Sequence, residues 1–142
     1  MASGARLLGT ISLVLGLLFV AAGATTWFTV RTNPADEHIT LSSDAAAFAG
    51  QPVNGPIDAW LQAEVIEMHA LARSEGLTYA ELDREDPVRV TVMNGSFLRA
   101  SLFTSVVAFG VAALAMGAGL VLALLGQGLR VLAGRKEAAT TA

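Results

Sequence analysis

The longest stretch of this sequence without a charged residue runs from Ala100 to Leu129, between Arg99 and Arg130. As an α-helix it would measure about 45 Å, because each helical residue adds about 1.5 Å. The hydrocarbon core of a bilayer is only about 30 Å thick, so the segment is long enough to cross a membrane with tilt. The sequence therefore predicts a transmembrane helix over residues 99–132.

A second uncharged run, Leu7–Val30, would form a helix of about 36 Å. Trp27 and Phe28 near its end suit the aromatic belt of a membrane interface. A cleaved signal peptide, residues 1–24, is the open alternative, because Arg6 gives a positive start and Ala22–Ala24 is a small-x-small sequence. We expect a transmembrane helix, because the run is longer than the apolar part of a typical signal peptide.

The charges are divided unevenly between the ends and the middle of the chain. Segment 31–99 has eleven of the twelve acidic residues and five of the nine basic ones, a net charge of −6, while the two ends together carry +3. Positively charged flanks of membrane helices favour the cytoplasmic side. We therefore expect an all-α membrane protein, a two-transmembrane helical hairpin of the cell membrane with both termini cytoplasmic. Residues 31–98 would form a small, mostly helical extracytoplasmic cap.

The middle segment predicts one clear helix. Pro56 suits the first position of a helix and Gly76 the position past its end, so we expect this helix over about residues 56–75. Apolar residues recur along it at helical spacing and predict a buried stripe, made of Ile57, Trp60, Leu61, Val65, Met68, Leu71 and Ala72.

Glu64 falls inside this apolar stripe. A carboxylate that faces a core is costly unless it is paired or protonated. Arg31 and Arg99 lie at the outer ends of the two predicted spans, so we expect Glu64 to pair with one of them. The alternative is that both arginines extend to lipid headgroups.

Shorter elements are predicted around this helix. Ile39–Leu41 reads as an extended piece, and Ser42–Asp44 as the cap of a brief helical turn that Gly50 closes. Thr78 and Glu81 have the spacing of a capping box, which predicts a short helix over about residues 79–85.

Asp86 and Pro87 look like the cap and first position of a helix that runs directly into the second span. The alternating valines of residues 88–93 leave a short strand, ending at the Asn94-Gly95 turn, as the alternative. Residues 133–142 are expected to form a disordered cytoplasmic tail.

Small residues recur within the predicted spans. Ala115, Gly119 and Ala123 follow one another at four-residue steps in the second span, and Gly9 and Gly16 belong to similar rows in the first. Small residues at such spacing let two helix backbones approach closely. We expect the two spans to pack against each other, with packing against other subunits or a second copy as the alternative.

The sequence offers little for catalysis. It has no cysteine, which excludes disulfides and thiol chemistry, and its two histidines, His38 and His69, lie 31 residues apart without a metal-binding spacing. The acidic cluster at residues 81–86 lacks the ligand spacing of a calcium loop. Serine-hydrolase and nucleotide-binding motifs are absent, and an acidic cap is unsuited to nucleic acid. We expect no cofactor, no metal site and no enzymatic activity.

Two phrases, His38–Trp60 and Thr78–Leu114, resemble a family of small actinobacterial membrane proteins often labelled aromatic ring-opening dioxygenase, small-subunit type. The resemblance spans most of the chain and implies no catalytic residues.

The expected function is that of a non-catalytic accessory or interaction protein of the cell envelope. Its partners would be the lipid bilayer and either a helix-packing protein or further copies of itself. The alternatives are an accessory small subunit of a dioxygenase and a homo-oligomeric membrane sensor or channel-like assembly.

Overall fold

A computed structural model describes residues 2–36 and 39–141 of the chain. The described residues form three α-helices and no strand, which confirms the all-helical class. The helices are α1 (Ala2–Asp36), α2 (Pro56–Arg73) and α3 (Arg89–Thr141). Two segments of them are long and apolar enough to cross a membrane, Ser3–Thr32 of α1 and Arg89–Lys136 of α3.

The predicted helix after Pro56 is confirmed as α2. Pro56 occupies its first turn, where a missing backbone N–H costs nothing, and Gly55 precedes it in an extended conformation. The chain leaves the helix at Ser74, and Gly76 then adopts a positive φ of 88° that favours glycine. The Gly76 N–H donates to the Leu71 carbonyl at 2.8 Å, which closes the helix end.

Residues 39–53 form a short antiparallel contact instead of a helix. The Leu41 N–H donates to the Gln51 carbonyl, and the Val53 N–H to the Ile39 carbonyl, both at 2.9 Å. The extended piece at 39–41 is therefore confirmed. The helical turn predicted after Asp44 is wrong, because the chain between the paired segments consists of turns and bends.

The short helix predicted over residues 79–85 is also wrong. Half of the capping box forms, since the Thr78 N–H donates to the Glu81 carboxylate at 2.8 Å. The guanidinium of Arg89, however, donates to the carbonyls of Tyr79 and Leu82. These carbonyls would otherwise accept from the next helical turn, so the arginine holds the segment as a series of turns.

Helix α3 begins near the predicted position and passes through Asn94 and Gly95 without a break, so the strand alternative for residues 88–93 is wrong. Gly95 is where α2 crosses, because a Cβ built on Gly95 would lie 3.3 Å from the Cβ of Ala70. At the other end α3 continues to Thr141. The tail predicted as disordered is helical over 133–141, a segment rich in alanine, arginine and lysine, which favour helix.

The chain divides into two compact units, Met1–Trp27 with Val111–Ala142 and Phe28–Gly110. In the first unit α1 and α3 pack antiparallel through small residues. The contacts repeat every seven residues on both helices and pair Gly9 with Gly126, Gly16 with Gly119, and Gly23 with Ala112. A seven-residue repeat keeps one face of each helix in contact when two helices coil around each other.

The second unit has an apolar core between the loop, α2 and the start of α3. Its buried members are Leu41, Val53, Ala59, Ala63 and Leu102. The face that α2 buries is therefore made of small residues, with Val65 as its largest buried member. The predicted stripe is wrong at several positions, because Ile57, Trp60 and Met68 are exposed. A close approach of α2 to α3 leaves no room for large side chains between them.

Candidate functional site

A half-open cavity of about 310 Å³ lies within the second unit, between α2, the turn after Thr78 and the first turns of α3. Its walls are mostly apolar, and a few polar side chains enter it from each element. The lining residues are Glu67, Ala70, Leu71, Thr78, Tyr79, Ala80, Val92, Gly95, Ser96 and Arg99. An apolar cavity with a few polar groups is the usual form of a small binding site.

An ion pair joins the two helices at one wall of this cavity. The Arg99 guanidinium lies 2.5 Å from the Glu67 carboxylate, and both side chains are about one-third exposed, at 34% and 36%. The guanidinium also lies over the Phe103 ring, 5.2 Å from its centroid. The Nε atom of Arg99 is buried and has no hydrogen-bond partner within the described residues.

The opposite wall is built by the turn that replaces the predicted short helix. Arg89 lies over the Tyr79 ring, 4.0 Å from its centroid, and fixes the position of that ring. Thr78 donates to Glu81 from both its hydroxyl, at 2.7 Å, and its backbone N–H. These hydrogen bonds, the hydroxyl's foremost, lower the pKa of the Glu81 carboxyl below its ordinary value. These hydrogen bonds therefore favour the ionised form of Glu81.

A second polar contact fastens the 39–53 loop to α2. His69 Nε2 lies 2.5 Å from the Asp44 carboxylate, and the Gln62 side chain accepts a hydrogen bond from the Ser42 N–H at 3.0 Å. The hydrogen bond from His69 lowers the pKa of Asp44 below its ordinary value. Both members of the histidine–aspartate pair are exposed, so the contact is structural and open to water.

The predicted ion-pair residues separate in the structure. Glu64 is exposed on α2 and does not face the core, so the reason for pairing it disappears. Arg99 instead contacts Glu67, one turn further along the same helix. Arg31 lies on α1 with an exposed side chain. Arg99 therefore joins the loop helix to α3 through Glu67, and not through Glu64 as predicted.

Of the small residues predicted for packing in the second apolar segment, some contact α1 and one does not lie at the centre of the contact. Gly119 is buried against Gly16, and Ala123 also approaches Gly16 closely. Ala115 is only half-buried. The expectation that the two long apolar helices pack against each other is confirmed, although the repeat is seven residues, through Ala112, Gly119 and Gly126, instead of four. The Ser12 hydroxyl adds a hydrogen bond of 2.8 Å to the Leu122 carbonyl between the helices.

Metal-binding groups do not gather in the part of the chain that the structure describes. Within residues 2–36 and 39–141 no three His, Cys, Asp or Glu side chains lie close enough to hold an ion. His69 is engaged with Asp44, and His38 lies outside the described residues.

Two features of the site escaped the sequence reasoning. The large apolar residues of α2 predict a buried face that is rotated away from the real one, which includes Ala63, and for this reason the sequence does not single out Glu67. The seven-residue repeat was visible as Gly9, Gly16 and Gly23, and again as Ala112, Gly119 and Gly126. Equal repeats in two apolar segments are the signal that predicts which faces meet.

Comparisons of the chain with protein-family models, with curated proteins and with solved structures find no match. The resemblance of residues 38–60 and 78–114 to the dioxygenase-labelled family stays a prediction.

Proposed function

We propose that this chain is an integral membrane protein that crosses the bilayer twice, through α1 and α3, and acts as a non-catalytic accessory protein. The observation that carries the proposal is the apolar surface of the two helices. Leu114 and Leu124 are 72% and 73% exposed, and they belong to a large set of exposed leucines, valines and isoleucines along both helices. Soluble monomers rarely expose a continuous apolar surface of this kind, whereas lipid would cover it without cost.

The charges support one orientation of the chain in the membrane. The net charge of +3 at the two ends against −6 in segment 31–99 supports cytoplasmic termini and an extracytoplasmic cap. The absence of native cysteine makes this directly testable. A cysteine at Ser43 should react with a membrane-impermeant maleimide in intact cells, and one at Ser3 only after permeabilisation. The reverse labelling pattern would invert the topology, and labelling of both in intact cells would exclude the two-span arrangement.

The accessory role is supported by the surface that remains open after the helices have packed within one chain. The glycine rows of α1 and α3 contact each other, so those faces are already occupied within one chain. The cavity beside the Glu67–Arg99 pair, in contrast, is half-open, and no part of the described chain fills it. We infer that partner recognition uses this cavity, with the partly exposed Glu67–Arg99 pair at its wall as the polar contact.

A photo-crosslinking amino acid at Tyr79, on the cavity wall, tests this role in native membranes. Phe28, an exposed residue of α1, is the matched control position outside the cavity. A defined protein product at Tyr79 that disappears with Arg99→Met supports the accessory role. Products containing only this chain would favour a homo-oligomer, and ring-cleaving activity with bound iron in the captured complex would favour the dioxygenase subunit. Equal products at both positions would overturn the role proposed for the cavity.

A further inference from the structure

A second, wholly apolar groove lies at the other end of α2. Its volume is about 340 Å³, and it is lined by Pro56, Ile57, Trp60 and Leu61 of α2 and by Val106 of α3. Ile57 is 65% exposed and Trp60 is 49% exposed. The rings of Trp60 and Phe103 pack edge-to-face, with a centroid distance of 5.1 Å and an interplanar angle of 79°. The groove can therefore accept only an apolar group.

The level of the groove along α3 follows from the contacts of α2. The two segments run antiparallel, with Glu67 beside Arg99 and Trp60 beside Phe103. Phe103 lies about 6 Å and Val106 about 10 Å beyond Arg99 along the helix axis, at about 1.5 Å per residue. Arg99 is the last charged residue before the uncharged run of α3. The groove therefore lies one to two helical turns inside that run.

The exposed side of α2 changes from apolar to charged residues close to the same level. Ile57 and Trp60 are apolar, and Glu64, one turn further along the exposed side, carries a charge. Asp58 also lies near the groove end of α2, half-buried, with its carboxylate 3.4 Å from the Asn54 N–H. A tryptophan between apolar and charged neighbours is typical of the interface of a bilayer, where its ring is partly in lipid and its N–H reaches water.

We propose that the amino-terminal end of α2 lies in the membrane interface and that its groove holds the upper part of a phospholipid acyl chain. This inference rests on the proposed function, because it requires the uncharged run of α3 to be in the bilayer. An acyl chain fits the lining, which offers no charged side chain to a peptide or a headgroup. Val106, which lines the groove, lies within the uncharged run of α3 that the proposed function places in lipid.

The two tryptophans of the chain allow a direct test. In Trp27→Phe the only tryptophan is Trp60, and in Trp60→Phe it is Trp27. Each variant is reconstituted in phosphatidylcholine vesicles whose acyl chains are brominated near the ester, at mid-chain or near the methyl end. We expect Trp60 emission to fall most with bromine near the ester and least with bromine near the methyl end. Acrylamide in the water should reduce its emission less than that of free tryptophan.

The variant Ile57→Asp, made in the Trp27→Phe background, tests the groove itself. A charge at this position should reduce the quenching of Trp60 by bromine near the ester and shift its emission to longer wavelength. Met68→Asp is the matched control, because Met68 is also exposed on α2 but lies beyond Glu64. It should change neither signal. Circular dichroism checks that both variants retain the helical content of their parent.

The outcomes separate the inference from the proposed function. Lipid quenching of Trp27 with acrylamide quenching of Trp60 would overturn the interfacial groove and leave the membrane spans intact. Absence of lipid quenching at both tryptophans would overturn the spans together with the groove. Protection of Trp60 from both quenchers would mean that a second copy of the chain covers the groove, and would overturn the acyl chain as its occupant. An Ile57→Asp variant quenched as its parent would likewise contradict the inference.

Discussion

The two compact units differ in where their large apolar side chains lie: one unit exposes them, and the other has a core that buries them. In the unit formed by α1 and the later part of α3, glycines and alanines make the helix contact, and leucines such as Leu114 and Leu124 are on the outside. In the unit of residues 28–110, Leu41, Val53 and Leu102 are buried together. The first arrangement suits helices dissolved in lipid, where close backbone contact drives association, and the second suits burial from water.

The largest effect is expected where the backbones are closest. A Cβ built on Gly16 would lie 2.5 Å from the Gly119 carbonyl oxygen, and no flexible side chain can move aside to admit it. We expect Gly16→Leu to destabilise the helix pair by more than about 3 kcal/mol, beyond the usual cost of overpacking. Thermal unfolding in mild detergent, followed by circular dichroism, measures the loss.

Gly117→Leu is the matched control, because Gly117 lies on the same helix and a Cβ there would meet no atom within 4 Å. Its unfolding temperature should stay at or above that of the parent, since leucine favours helix over glycine. Equal losses from the two substitutions would show that the glycines do not form the contact.

A smaller effect is expected from shortening a buried leucine in the other unit. Leu41 is 2% exposed, so Leu41→Ala should cost about 3 kcal/mol of unfolding free energy through lost burial and a residual cavity. Leu124→Ala removes the same atoms from an exposed position of α3 and should cost well under about 1 kcal/mol in detergent. The ratio of the two losses in unfolding free energy measures how much more a buried leucine contributes than an exposed one. Similar losses would show that the two units do not differ in this respect.

The helix pair shows how much the sequence can predict. Two uncharged runs of membrane length predict α1 and α3, and the small residues within them predict mutual packing. The four-residue row through Ala115 does not predict the register, because several rows of small residues occur in α3 and only contact with the partner helix selects one. The residues that make the contact, among them Gly16 in α1 and Gly119 in α3, recur every seven residues along their helices.

The loop region was harder to predict, for a physical reason that α2 illustrates. Hydrophobic periodicity locates the face that leaves water, and along α2 it indicates Ile57, Trp60 and Met68. The structure buries Ala59 and Ala63 instead, because the contact with α3 needs small side chains. Hydrophobic periodicity alone does not distinguish an apolar face that packs against protein from one that stays exposed. For the same reason the apolar pattern indicates Glu64, and the structure pairs Glu67.

The Glu67–Arg99 pair should contribute a modest energy that a double-mutant cycle can isolate. Both side chains are about one-third exposed, so water weakens the attraction, and we expect a coupling of about 0.5–1 kcal/mol between Glu67→Gln and Arg99→Met. The same cycle with Glu64→Gln is the control and should give no coupling. Coupling of Arg99 with Glu64, and none with Glu67, would reverse the pairing. Unfolding free energies of the single and double variants in detergent provide the measurement.

The smallest effect is expected at the exposed Asp44–His69 pair, and its pH dependence identifies it. The hydrogen bond from His69 lowers the pKa of Asp44 in the folded protein. The stability gained is therefore fully present above the ordinary pKa of aspartate, about 4, and is lost as the pH falls through the lowered folded value. Asp44→Asn should unfold at a slightly lower temperature than the parent near neutral pH, and the difference should vanish in strong acid. A gap that persists in strong acid would show that Asp44 stabilises the loop through packing or geometry instead of its charge.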